Sequence, residues 1–299
     1  MNARKIDQIA TVCFYIIALF IIGVVISLVG YLLYRGFPHI TWDFLTKAPG
    51  AYVLDEIGGI APQLFNSIYL LLLTLCIALP IGICGGIYMA EYAKPNWFTR
   101  IVRLCMEVMS SLPSIIIGLF GLLLFVQVTH WGYTLAGGAL TLAIFNLPLL
   151  VRIVEQAIRT VPPEQKEASL SLGISHWQTI CNVMLPIALP GIVTGIILAA
   201  GRIFGEAAAL LFTAGMSSPN LDFTNWDVTS PSSPLNPFRP AATLSVYIWK
   251  VNTDSLSAET ATIVSAGASC ILICVVFVST IVARLLGRYL YRRLTSSTT

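Results

Sequence analysis

Two ionisable residues stand four positions apart inside an otherwise apolar run: Arg202 and Glu206, in GRIFGEAAALLFTAG at 201–215. A charge carried into a bilayer on a helix costs about 2.5–3.5 kcal/mol on insertion scales, so residues of this kind mark either a pairing or a function. The i, i+4 spacing places both on one face of a helix, where they can neutralise each other. Two chemistries fit. One is a paired charge that holds helices together. The other is a guanidinium whose planar fork takes two oxygens of an oxyanion. Glu206 would then position the arginine and keep it from holding the anion too tightly to release it. In a helix starting near Leu189, Arg202 lies about 20 Å along the axis, past the midplane of an apolar layer about 30 Å thick. Arginine keeps its proton in proteins, which makes this pair poor acid–base machinery for an enzyme.

A second constellation is the polar stretch EASLSLGISHWQTICNVMLP at 167–186, set between long apolar runs. Pro162 and Pro163 end the helix that precedes it. Glu164 to Leu172 are good helix formers, and Gly173 suits a turn. Trp177 to Met184 are expected to form a second short helix stopped by Pro186. A helix–glycine–helix knob of this kind fits a groove on a partner, with Glu167 supplying charge and Ala168 allowing close approach. In SSLPSIIIGLFG at 110–121, Ser110, Ser111 and Ser114 can offer hydroxyls to an anion, although local capping is the better-supported role, and Pro113 bends the helix. Asn146 and Pro148 read as hinge or packing residues. The pairs Gly191/Gly195 and Gly201/Gly205 match small-residue helix packing without naming the helix they meet.

The elements that must carry these residues are membrane spans. The chain of 299 residues is 57% hydrophobic and 10% charged, against about 25% charged in soluble domains, so lipid is the expected solvent. Six stretches approach the roughly 20 apolar residues that a span requires: 11–34, 65–90, 106–128, 134–154, 189–213 and 261–284. The third and fourth form a hairpin across Thr129–His130–Trp131–Gly132. The expected architecture is an all-α integral membrane protein of six transmembrane helices in a single domain, 1–299. Arg4 and Lys5 precede a first apolar run too long for a cleaved leader, so it is expected to be retained.

Twelve of the seventeen basic residues fall in the N-terminus, 94–103, 152–166 and the C-terminus, and four (Arg35, Lys47, Arg239, Lys250) fall in 35–63 and 216–258. Basic segments stay in the cytoplasm, so both termini and loop 155–188 are expected there, with 35–63 and 216–258 outside. The outer loops are also acidic, with Asp43, Asp55, Glu56, Asp222, Asp227, Asp254 and Glu259. Residues 216–240 are rich in Pro, Ser and Asn and read as irregular loop. The following ATLSVYIWK suits a strand or a short interfacial helix. None of the seven cysteines lies in an outer loop, so no disulfide framework is expected, and Cys270 and Cys274 lack companions for a metal site. His39, His130 and His176 are spread over three loops. No GxxxxGK[ST], HExxH or GxSxG motif is present, which removes the nucleotide-binding, metalloprotease and lipase readings.

The spacing Glu167-Ala168-Ser169, three residues, Gly173, eleven residues, Leu185-Pro186 resembles the EAA coupling loop of ABC importer permeases, with Ser169 in place of an alanine. Arg202, Gly205, Glu206 and Leu210 to Ala214 resemble the fifth-span motif of phosphate-specific (Pst) permeases. Ala209 stands where that family often has proline, which predicts a less kinked helix. PIGICGGIYMAEYA at 80–93 and RTVPPEQKEASLSLG at 159–173 add to the likeness, and the order of the outer loops is nearer the PstA-type than the PstC-type subunit. The resemblance implies a type I ABC importer (MetI-like) permease fold and a non-catalytic, channel-forming subunit of a phosphate importer in the cell membrane. Loop 155–188 becomes its ATPase-coupling loop through Glu167, Ala168, Gly173, Leu185 and Pro186, and Arg202 and Glu206 become its substrate path. The implied partners are an ATP-binding cassette ATPase dimer, a PstC-type second permease, an exterior phosphate-binding protein and membrane lipid, with no nucleic acid. No cofactor is expected on this chain, ATP and Mg belonging to the ATPase. The coupling loop does not separate phosphate from sulfate, molybdate or phosphonate, nor transport from a signalling or scaffold role.

Overall fold

The computed structural model describes residues 3–49, 58–254 and 258–296. Asp55 and Glu56 of the 35–63 segment lie outside them. Every regular element among the described residues is helical. Helix α1 (Ala3–Gly36) is exposed along its apolar length and meets the rest of the chain near its end. There a Cβ on Gly36 would overlap Ala266 and Cys270 of the last helix, so glycine sets the approach. A short α2 (Trp42–Thr46), capped by Thr41, leads to α3 (Ala61–Ile87), which is lengthened by a π-helical turn at Tyr88–Tyr92.

The expected third span at 106–128 is instead two elements. Helix α4 (Trp97–Ser111) and α5 (Ser114–Gly121), with its π-helical extension Leu122–Val128, meet at 104°. Proline lacks an N–H and pushes the residue before it out of the helical region; Leu112, just before Pro113, is extended. Helix α4 is amphipathic, with Trp97, Ile101, Leu104 and Val108 exposed along one side. Ser110 and Ser111 donate to the carbonyls of Met106 and Val108, which is the local capping role.

Helix α6 (Leu135–Arg159), capped by Thr134, is the most buried span. It runs parallel to α3, since Gly82 faces Leu150 and Gly86 faces Val154. A short α7 (Pro163–Ser171) and α8 (His176–Thr179) follow, and α8 continues through a π-helical turn, Ile180–Met184, into α9 (Leu185–Gly205). Helix α9 runs antiparallel to α6: Gly191 lies against Ala157 and Gly195 against Ile153. Gly201 and Gly205, read as a second packing pair, make no such approach, since the nearest atom to a Cβ on Gly201 is Val276 Cγ1 at 3.9 Å and Gly205 has none within 4 Å.

Helices α10 (Ala208–Thr213), α11 (Leu244–Asp254) and α12 (Ala258–Ser296) complete the chain. ATLSVYIWK thus opens a helix rather than a strand. The 216–243 loop is anchored rather than loose. Leu135 N–H donates to Arg239 O, Ala136 N–H to Pro237 O, and Leu244 N–H to Ser67 Oγ. Asp222 and Asp227 fold it locally through Thr224 and Thr229, whose hydrogen bonds hold both carboxyls below the usual aspartate value.

Candidate functional site

Arg202 lies three residues before the end of α9, exposed on the surface of the chain. Its guanidinium carbon sits 4.1 Å from the centroid of the Phe145 ring on α6. Stacking over an aromatic face attracts a cation by about 0.5–2 kcal/mol. Phe145 is fully buried and therefore a fixed platform. Sequence spacing did not indicate this partner.

The expected Arg202–Glu206 pair is not formed. The i, i+4 argument requires a continuous helix, and α9 stops at Gly205, with Glu206 extended at φ −69°, ψ 129°. Glu206 instead caps the next helix, Oε1 accepting from Ala209 N–H at 3.3 Å, while its carbonyl accepts from Ser245 Oγ at 2.6 Å. The break occurs without the proline that Ala209 replaces, contrary to the expected straighter helix. Close packing accompanies it: a Cβ on Gly118 of α5 would lie 2.8 Å from Ala209 Cα and 3.2 Å from Ala208 O, so α10 presses its backbone onto α5.

The second constellation folds into an elbow. Gly173 takes the left-handed conformation, φ +78°, that closes the turn between α7 and α8 and that a side chain would strain. Glu167, Ala168 and Gly173 are all exposed on the elbow, beside Leu172 and Trp177. Ser169 and Thr179, both buried, bridge its two arms through their hydroxyls at 3.0 Å. Leu185 and Pro186 are half-buried in the helix beyond it and do not share that outer surface. Pro186 does not stop the helix as expected. It occupies the first turn after the π-helical stretch, where its missing N–H is tolerated. His176–Gly205 is accordingly one helical run of 30 residues.

Three polar clusters were not read from the sequence, although Glu155 and Arg159 in the second stand at i, i+4 on one helix. Glu91, at the end of α3, accepts from Lys166 Nζ at 2.6 Å and lies 2.9 Å from His176 Nε2, so His176 is not isolated. Glu155, buried on α6, pairs with Arg103 at 2.6 Å and Arg159 at 3.0 Å. At the opposite end of the molecule Arg239 is 2% exposed and faces no carboxylate among the described residues. It donates to Ser233 O, Pro234 O and Asn66 Oδ1 at 2.8–3.1 Å. Burial lowers its guanidinium to about 10, partly opposed by Tyr69, which leaves it a cation at neutral pH.

The family described as "Binding-protein-dependent transport system inner membrane component" matches residues 82–296. A probable ABC transporter permease protein, YqgI, of Bacillus subtilis (strain 168) is 49% identical over 99% of this chain and 100% of that protein. The phosphate transport system permease protein PstA of Yersinia pestis is 35% identical over 77% of this chain and 72% of that protein. Among solved structures, an inward-facing conformation of the MetNI methionine ABC transporter superposes with a TM-score of 0.55 at 20% identity, covering 78% of this chain and 94% of that one.

Proposed function

The chain belongs to the family of binding-protein-dependent transport system inner membrane components, and from that premise we propose that it is the PstA-type half of a phosphate-importing channel. It has the type I ABC importer permease fold and is a multi-pass membrane protein and a non-catalytic subunit, the ATPase being a separate chain. Kinship to phosphate permeases supports phosphate as cargo. The elbow is the dock for an ATP-binding cassette ATPase dimer, which holds the ATP and Mg. A PstC-type permease completes the path, and an exterior phosphate-binding protein delivers to the anchored 216–243 loop. The excess of basic residues toward the elbow end supports a cytoplasmic location for that end and for both termini.

The observation that carries the proposal is the unbroken His176–Gly205 helix, about 45 Å long at 1.5 Å per residue. It starts at the elbow and ends at an exposed guanidinium stacked on a buried ring. A displacement of the elbow by the ATPase is carried along this helix, through its π-helical turn and Pro190, to Arg202, and alternating access needs such a continuous member. Phosphate meets the N–H edge of Arg202, while Glu206 shapes the path by capping α10. Glu167, Ala168 and Gly173 meet the ATPase; Leu185 and Pro186 fix the helix that leaves the elbow.

The test is labelled-phosphate uptake into vesicles carrying the assembled transporter. Arg202→Ala is expected to abolish uptake while the ATPase still co-purifies and hydrolyses ATP, and excess sulfate is expected not to compete. Uptake at the unmutated rate removes Arg202 from the path. Uptake abolished by sulfate and unsaturated by phosphate overturns the choice of cargo.

A further inference from the structure

Glu91 occupies the π-helical turn that ends the second span, its side chain 7% exposed. A single oxygen, Oε2, accepts from Lys166 Nζ at 2.6 Å and lies 2.9 Å from His176 Nε2. Lys166 belongs to α7 and His176 opens α8, so one carboxylate grips both arms of the elbow across the Gly173 turn. The edge-on contact of Tyr92 with His176, 5.1 Å between ring centroids, reinforces the grip. Nearby, Arg159 Nη2 donates to Met89 O at 3.4 Å and ties α6 to the same turn.

From this geometry we infer that Glu91 is a positioning residue that makes the second span travel with the elbow. The elbow has a covalent route to α9, through α8, and to α6, through Thr160–Pro162. Its covalent route to α3 is long, running back through α6, α5 and α4, and the contact of α3 with α6 at Gly82 and Gly86 is apolar and lacks the direction of a charge pair. Pulling the shielded Glu91 carboxylate away from Lys166 and His176, each about a third exposed, leaves its charge unpaired and costs more than moving the cluster intact. When the elbow is displaced, Glu91 therefore follows Lys166 and His176 and draws the end of α3 with it. Force applied at the elbow reaches three spans: α9 and α6 by chain continuity and α3 through this tether. This inference rests on the reading of the elbow as the ATPase dock.

The test uses the assembled transporter with its native cysteines replaced and spin labels at Tyr88→Cys on the span-two turn and Gln165→Cys on α7, both exposed positions. With Glu91 present, the label separation is expected to be the same with and without trapped nucleotide. In Glu91→Gln it is expected to change or broaden with nucleotide. Phosphate moved per ATP hydrolysed is expected to fall about tenfold, within the range that coupling residues carry, with ATPase co-purification and the unfolding midpoint unchanged. Lys166→Met, which frees α7 and leaves His176 on the carboxylate, is expected to release the Gln165→Cys label alone and serves if Glu91→Gln does not assemble. A nucleotide-independent separation in both variants overturns the tether, as does an uptake loss that merely follows loss of folded protein or of the ATPase. An unmutated assembly that hydrolyses ATP without moving phosphate overturns the cargo, and the label separations still decide the tether.

Discussion

Gly195→Ala and Gly201→Ala make the same chemical change six residues apart on α9 and are expected to shift stability in opposite directions. Alanine improves on glycine in a helix by about 1 kcal/mol, and this term is common to both. At Gly195 the new methyl would overlap Cγ2 of Ile153 and lie 3.0 Å from its Cβ and 3.1 Å from its Cδ1. A β-branched residue in a helix has one strongly preferred χ1 rotamer, so Ile153 cannot turn aside, and α6 and α9 must separate. Overpacking of this kind costs about 1–3 kcal/mol. At Gly201 the nearest atom is Val276 Cγ1 at 3.9 Å, an ordinary contact. Because the propensity term cancels between the variants, Gly195→Ala is expected to be about 1–3 kcal/mol less stable than Gly201→Ala, roughly a 5- to 150-fold difference in unfolding equilibrium. Unfolding in mixed detergent micelles, followed by helical circular dichroism, measures it. A Gly195→Ala midpoint equal to or above that of Gly201→Ala refutes the close approach of α6 and α9. That approach also sets Arg202 over Phe145, so Gly195→Ala is expected to lower uptake and Gly201→Ala to spare it.

The hydroxyl pair within the elbow makes a second prediction. Ser169→Ala leaves the Thr179 hydroxyl buried without its partner and is expected to cost about 1–3 kcal/mol, whereas Ser169→Ala with Thr179→Val is expected to recover most of that loss; additive losses in the unfolding midpoints would show that the hydroxyls do not interact. Arg239→Met removes three hydrogen bonds from a charged donor, worth about 1.5–3 kcal/mol each, but relieves the burial of a charge, which returns several kcal/mol. Global stability is thus expected to change little while the loop loosens. Hydrogen exchange at the Leu135 and Ala136 amides, which donate to the loop, is expected to quicken about tenfold, as a local opening free energy lowered by about 1.4 kcal/mol requires. Unchanged exchange there would show that Arg239 does not hold the loop.

The span content of this chain was legible because hydropathy and length belong to each segment alone. The exception at 106–128 has a local cause. The apolar run continues across Leu112–Pro113, and the charged face of α4 made 97–105 look like a connection rather than a helix. Pro186 misled in the opposite sense, since the π-helical turn at Ile180–Met184 absorbs it and lets α8 run on into α9. The turn at Gly173 was readable from one residue, because few others tolerate its backbone conformation. The partners of charged side chains on other helices were not readable. Glu91 is 75 residues from Lys166 and 85 from His176, and no spacing rule reaches across separate helices. Gly191/Gly195 and Gly201/Gly205 show the same limit, since both fit the small-residue pattern and only the first makes a close approach to a neighbouring helix.

Arg202 shows most clearly why the partner matters. The pairing with Glu206 expected from sequence would have neutralised the guanidinium and occupied N–H groups on its edge, leaving little with which to meet an anion. A ring beneath the guanidinium acts differently. The attraction of the Phe145 face stabilises the cation by about 0.5–2 kcal/mol and engages the flat side of the group, while the donors lie in its plane. The charge stays uncancelled and the fork stays open, on a side chain exposed at the surface of this subunit. For the proposed phosphate path this favours weak, reversible contact over permanent binding, because the anion meets a cation whose position is set from behind and whose hydrogen-bonding edge is free. Phe145→Leu tests the argument. It is expected to keep the apolar packing of α6 and lower uptake, and unchanged uptake would show that the ring does not position the arginine.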